Sequence, residues 1–182
     1  MSNHCSNQLV IVGLNNELAR FKRKSCNYES GNSREVELCM DKLVPLSDFS
    51  GENPEDRAWG CDWIEDVTLK YKDSGDRFDG RVGCLKLSFI SAWEPPIQFV
   101  RRVSILFPSL EFNLTYMEDG VGFAGTVTYL AGEQINEVRV AYIDPDECLD
   151  EYLSRPWPDP WKDGLFENPD LPKPSHNEGG TE

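Results

Sequence analysis

Histidine is scarce in this chain of 182 residues, which has only His4 and His176, one near each end. The six cysteines, at positions 5, 26, 39, 61, 84 and 148, include no CxxC pair. Local spacing therefore composes neither a zinc knuckle nor a His-rich catalytic metal centre. With no export signal beside them, the scattered cysteines read as free thiols rather than a disulfide framework. Met1 to Asn7 lacks the basic start and apolar stretch of a signal peptide, and no run of about 18 apolar residues occurs. A soluble, cytoplasmic protein without membrane contact is expected. Basic residues are also few, 18 Lys plus Arg against 32 Asp plus Glu, for a formal net charge of -14. That balance is the opposite of the basic footprint with which duplex-binding proteins displace counterions, so direct duplex binding is not expected. G-x-S-x-G, P-loop and H-E-x-x-H motifs are all missing, and His4 beside Cys5 is too crowded to define a dyad. No catalytic residue, metal ligand or cofactor is assigned.

What is present suffices for one core. A hydrophobic content of 39% suits a single packed body of roughly 130 to 150 residues. The charge is uneven: residues 1–142 carry 21 acids and 15 bases (net -6), and residues 143–182 carry 11 acids and 3 bases (net -8). Repeated prolines from Arg155 onward remove amide donors and fix φ, so the expected division is an α+β domain over 1–154 and an acidic, proline-rich arm over 155–182. Trp157 and Trp161, with Leu165 and Phe166, give the arm apolar anchors, either for its own domain or for a partner.

Along the body, Leu9 to Gly13 reads as a buried strand. Leu14, Leu18 and Phe21 recur at helical spacing, predicting a helix from 16 to about 25 with Asn15 and Asn16 as caps. Cys26 to Arg34 reads as a polar loop, Val36 to Leu43 as an extended segment, and Leu46 to Ala58 as polar chain. Val67 to Tyr71 and the Leu85, Leu87, Phe89 alternation predict strands. Pro95 and Pro96 open a second helix with a stripe of Phe99, Val100, Val103, Leu106 and Phe107, which Pro108 stops. Three alternating strands follow, centred on Leu114, Val127 and Val138, with turns at Glu118-Asp119-Gly120 and Ala131-Gly132-Glu133. Asp144 to Ser154 suits a short helix. The order predicts two helices packed on one face of a mainly antiparallel sheet.

Gly120-Val121-Gly122-Phe123-Ala124-Gly125 matches the dinucleotide fingerprint letter for letter. The following Thr126-Val127-Thr128-Tyr129 is β-branched and alternating, whereas the fingerprint needs a helix there to hold pyrophosphate. The glycines are therefore read as a hairpin turn plus a close backbone approach. Trp59, Trp63 and Trp93 are expected to build one satellite core, with a ligand-facing aromatic shelf as the alternative. Asp62, Glu65 and Asp66 beside Trp63 suit a glycosidase pair or a divalent cation, and equally a solvated loop. Glu94 reads as a helix-start carboxylate.

Asn3-x-Cys5-x-Asn7 before a strand, Leu18-Ala19-Arg20-Phe21, Trp59-Gly60-x-x-Trp63, Ala92-Trp93-Glu94-Pro95-Pro96 and Gly122-Phe123-Ala124-Gly125 occur in that order. Together they resemble the YubB ferredoxin-like family, carried by phages, plasmids and bacterial genomes, over roughly residues 1 to 135. The chain departs from that pattern at His4, where the family commonly has Trp, and at Cys61-Asp62, where it has Thr-Lys. The resemblance implies a ferredoxin-like α+β sandwich and a mobile-element setting in a bacterial host, and it carries no activity. Two functions of different class are then expected. The first is a non-enzymatic accessory protein that binds a host or phage protein with a basic surface, in its sharpest form as an acidic nucleic-acid mimic in counter-defence. Its binding residues are Trp59, Trp63, Trp93, Glu94, Asp62, Glu65, Asp66, Trp157 and Trp161. The second is a Mg-dependent hydrolase or nucleotide-processing enzyme using Asp62, Glu65 and Asp66.

Overall fold

The computed structural model describes residues 4–28, 36–73, 82–118, 120 and 122–140. The chain divides after Leu149, and every described residue belongs to the first unit. The arm, the segment from Asp144 to Ser154, Trp157 and Trp161 lie outside the described residues.

The first strand, β1 (His4–Leu14), leads into helix α1 (Asn15–Ser25). Leu14 occupies the N-cap position, so Asn15 and Asn16 stand inside the first turn rather than capping it. Leu18, Phe21 and Ser25 form the buried side of α1, while Lys22, Arg23 and Lys24 crowd its last turn, where the helix dipole favours positive charge. Two short strands come next, β2 (Cys26–Tyr28) and β3 (Val36–Leu38), paired antiparallel. This corrects both the polar loop from Cys26 and the longer extended segment: after β3 the chain makes 3-10 turns at Met40–Lys42 and Leu46–Asp48. Helix α2 (Pro54–Trp59) then replaces part of the expected polar stretch. Proline at its first position, Glu55 and Asp56 in its first turn and Gly60 at φ 82 after its end supply start and stop signals within six residues.

The rest of the body is β4 (Ile64–Asp73), β5 (Val82–Ala92), α3 (Ile97–Leu106), β6 (Glu111–Glu118), β7 (Phe123–Leu130) and β8 (Glu133–Val140). The strands form one sheet in the order β4-β5-β1-β6-β7-β8, and every neighbouring pair is antiparallel. Within it, β1-α1-β4-β5-α3-β6 is a βαββαβ unit whose two central strands are β5 and β1. The β7–β8 hairpin extends the β6 edge through the tight Ala131-Gly132 turn, with φ of 52 and 85. Both positive φ values are those of the primed turn that suits hairpin twist.

Alternation along the strands sets the core. Leu9 and Ile11 of β1, Leu85, Leu87 and Phe89 of β5, and Phe112, Leu114 and Tyr116 of β6 are buried together with Phe99, Val100, Val103 and Phe107 of the α3 region. Leu106, expected in the α3 stripe, is 46% exposed. Phe21 meets Phe107 and Phe112 edge to face, with ring centres 5.4 and 5.8 Å apart. Each such fully buried aromatic contributes on the order of 1.5–3 kcal/mol by removal from water. No helix among the described residues is long and apolar enough to cross a membrane.

Candidate functional site

Three adjacent strands bring aromatic residues to one end of the sheet. His4 opens β1 opposite Ala92, the last residue of β5. Trp63 immediately precedes β4, and its carbonyl accepts the Ala92 N–H at 3.1 Å. The His4 and Trp63 rings lie edge to face at 5.6 Å. Trp93 follows Ala92 directly. Trp63 is 40% and Trp93 55% exposed, so the expected satellite core does not form. Only Trp59 packs against the main core, and its indole N–H donates to the Val44 carbonyl at 3.0 Å. The difference arises because Trp59 ends α2 facing inward, whereas Trp63 and Trp93 fall just outside the ends of β4 and β5.

Trp93 is held in an unusual way. Its φ is 61, and the Glu94 N–H donates to the Ala92 carbonyl at 2.6 Å, closing a three-residue turn. Turns of this hand are rare and strained, and a bulky residue at positive φ is an outlier. A buried polar network pins the turn from inside. The Asn7 amide donates to the Cys5 carbonyl at 2.7 Å and to Ser91 Oγ at 2.8 Å, and Ser91 Oγ donates to the Glu94 carbonyl at 2.7 Å. Asn7 and Ser91 are 1% and 0% exposed. Asn7 was legible only as part of the Asn-x-Cys-x-Asn resemblance; Ser91 carried no sequence signal.

The acids named from the sequence surround this end without forming a cage. Asp62, Glu65, Asp66 and Glu94 are all exposed. Asp66 stands at φ 52 within a bulge where β4 slips register between Glu65 and Thr68. Among the described residues, no three His, Cys, Asp or Glu side chains are grouped to hold a metal ion. Beneath them, burial pushes the Cys5 thiol up to about 12, with the Glu118 carboxylate adding to the shift. Burial likewise raises Cys61 to about 12, helped by Asp62 and Asp56. Neither thiol is set up as a nucleophile, which requires a lowered rather than a raised value.

A second feature escaped the sequence altogether. Between α2, α3 and β8 lies a cleft of about 600 Å³, lined among others by Arg57, Arg102 and Arg139 together with Asp56 and Glu94. One Arg102 amino group donates to the Arg57 carbonyl at 3.0 Å, and its guanidinium lies 4.7 Å above the Phe49 ring. Its Nε is buried with no hydrogen-bond partner, at a cost of about 1–3 kcal/mol. These arginines come from a six-residue helix, a longer helix and an outer strand, so no spacing rule connects them.

A family model described as a ferredoxin-like domain in Api92-like protein matches residues 69–151. The fold is ferredoxin-like. The strand order β4-β5-β1-β6 within a βαββαβ unit gives the same answer, and agrees with the sequence expectation of an α+β sandwich. Among solved structures the chain is similar to the protein Api92 from Yersinia pseudotuberculosis, 17% identical with a TM-score of 0.42. The similarity covers 63% of this chain and 44% of that one, so the chain spans less than half the length of this relative. No curated protein matches the chain.

The ferredoxin-like frame also explains the glycine cluster. Gly122 has φ 82 in the β6–β7 turn. A Cβ on Gly125 would lie 2.4 Å from the Tyr116 hydroxyl and 2.7 Å from the Val138 carbonyl. The fingerprint letters thus serve a turn and a close strand approach, and β7 follows them where a dinucleotide site needs a helix.

Proposed function

We propose that the chain is a non-enzymatic binding protein whose docking face is the Trp63 and Trp93 end of the sheet. The observation that carries this reading is Trp93, an indole 55% exposed on a backbone of φ 61. Exposure forgoes the burial gain of the largest side chain, and the left-handed backbone costs a further 1–2 kcal/mol or so. Folding gains from neither, and strain of this kind collects at ligand clamps and other functional sites. A buried hydrogen-bond network that fixes the turn makes the indole a rigid anchor, and rigid aromatics dominate protein interfaces.

The partner is a protein with a basic surface. Asp62, Glu65, Asp66 and Glu94 form an acidic rim around the indoles, on a chain of net charge -14. Such a rim steers a basic patch toward the aromatic centre. The motif resemblance to YubB proteins supports an accessory role in a mobile genetic element, acting in the bacterial cytoplasm on a host or phage protein. The sharpest version is an acidic mimic that occupies a nucleic-acid groove of a defence or replication protein.

The test is affinity capture from host lysate at low ionic strength, comparing the intact chain with Trp93→Ala and Trp63→Ala. At 0.01 M salt the screening length is about 30 Å, against about 8 Å at 0.15 M, so acidic docking should weaken visibly across that range. A partner retained by the intact chain, lost from both variants and displaced by duplex DNA is the expected outcome. A set of captured proteins indifferent to both tryptophans refutes the docking face, and retention unaffected by duplex DNA refutes the mimic.

A further inference from the structure

We infer that the cleft between α2, α3 and β8 binds a small phosphate-bearing ligand. Arg57, Arg102 and Arg139 line it, and among the described residues none of the three forms an ion pair with a carboxylate. This holds although Asp56 and Glu94 line the same cleft. Among the described lining residues, three positive charges against two negative give the cleft a local +1, on a chain whose formal charge is -14. In so acidic a protein, a cleft that gathers three guanidiniums with no ion pair among the described residues has charge and donors to offer an incoming anion.

The chemistry of the donors selects the anion. A guanidinium presents five N–H groups in a planar fork that matches phosphate and carboxylate oxygens. Arg57 uses one amino group on the Ser50 carbonyl at 2.7 Å, and Arg102 uses one on the Arg57 carbonyl at 3.0 Å, with its plane resting on Phe49. Both side chains are thereby held in place with most of their donors uncommitted, which reduces the ordering cost of binding. Arg102 Nε, buried without a partner, is a further unmet donor. Asp56 and Glu94 would repel a ligand that is anionic throughout. They suit one whose remaining groups are hydroxyls or amines, and Gln98 lines the same cleft. A volume of about 600 Å³ is that of an ordinary small-molecule site. The class indicated is a phosphorylated small molecule with hydroxyl or amino groups on its body, such as a sugar phosphate.

Titration calorimetry of the full chain with inorganic phosphate, ribose 5-phosphate and ribose tests this. Both phosphates should bind at low ionic strength and raise the thermal midpoint, and ribose should do neither. Arg139→Gln, on an exposed side chain of the outer strand, should weaken both phosphates at least about tenfold without lowering the stability of the unliganded chain. Arg102→Gln should weaken them as much or more, and Arg23→Gln, exposed on α1, should leave them unchanged. No binding of either phosphate, or binding that survives both Arg139→Gln and Arg102→Gln, overturns the inference.

Discussion

Replacing Gly125 by alanine should be among the most damaging single-methyl changes in this chain. The added Cβ would stand 2.4 Å from the Tyr116 hydroxyl, 2.6 Å from its ring carbon and 2.7 Å from the Val138 carbonyl, against ordinary contacts of 3.4–4 Å. The neighbours must therefore retreat by about 1 Å, and neither has room. Tyr116 is fully buried and meets Phe123 edge to face at 6.2 Å, while the Val138 carbonyl belongs to the strand paired beside Gly125. Overpacking typically costs 1–3 kcal/mol, and these contacts belong at the top of that range, about 3 kcal/mol. At roughly 2–4 °C per kcal/mol for a chain of this size, the thermal midpoint should fall by about 6–12 °C. Equilibrium urea unfolding, with an unchanged denaturant slope, is the measurement. Gly122→Ala is the comparison: at φ 82 it carries the left-handed backbone cost of about 1–2 kcal/mol. In a cycle with Tyr116→Leu, the double variant should be more stable than the sum of the singles by over about 1 kcal/mol, because the clash with the tyrosine ring and hydroxyl is gone while that with the Val138 carbonyl remains. A Gly125→Ala protein within about 0.5 kcal/mol of the parent, or no worse than Gly122→Ala, would refute the close-approach argument.

Ala131 stands at φ 52 before Gly132, so Ala131→Asn should stabilise the β7–β8 hairpin by about 0.5–1 kcal/mol in the same urea assay. Trp93→Gly should leave stability unchanged or raise it by up to about 1 kcal/mol while abolishing partner capture, since it relieves the backbone and removes the anchor. Ser91→Ala removes the link between Asn7 and the Trp93 turn, and should cost about 1–3 kcal/mol and weaken capture with both tryptophans still present. Cys5 and Cys61 are raised by burial from 9.0 to about 12, so the folded state prefers their protonated forms. The associated stability is complete below pH 9 and is lost as pH rises toward 12, by about 1.4 kcal/mol per pH unit for each thiol. Denaturant midpoints across that window should fall less steeply in Cys61→Ala, and alkylation of both thiols at pH 8 should be slow until the chain unfolds.

Period-two alternation made β5, β6, β7 and β8 readable, and β1 showed as a short apolar, β-branched run. In β1, β5 and β6 the sequence records burial against the core directly, whereas Glu133 to Arg139 of β8 alternate in type while all are exposed. α1 and α3 were readable for the corresponding reason at period 3.6. The reading failed where elements are too short for a period to show: α2 has six residues, and β2 and β3 three each. It failed differently at the tryptophans. Composition says that indoles are buried, and nothing local reveals that Trp63 and Trp93 lie just beyond strand ends. The acids around them were legible as a cluster, but their openness was not. The arginine cleft was illegible in principle, since positions 57, 102 and 139 meet only through the strand order.

That strand order also has a consequence in time. The first strand of the chain pairs with β5 from His4↔Ala92 to Leu14↔Val82, and with β6 from Cys5↔Glu118 to Val12↔Glu111. During synthesis β1 therefore has no complete partner until Ala92 of β5 has been added, 78 residues after Leu14, an interval of about 4–16 s at elongation rates of about 5–20 residues per second. Over that interval its apolar side and both of its ladders are unprotected, a template for any extended segment nearby. The β6-β7-β8 meander closes over short loops and can form as soon as it emerges, whereas the sheet's centre waits for long-range closure. Placing β1 inside the sheet, between β5 and β6, makes its pairing wait on long-range closure on both sides.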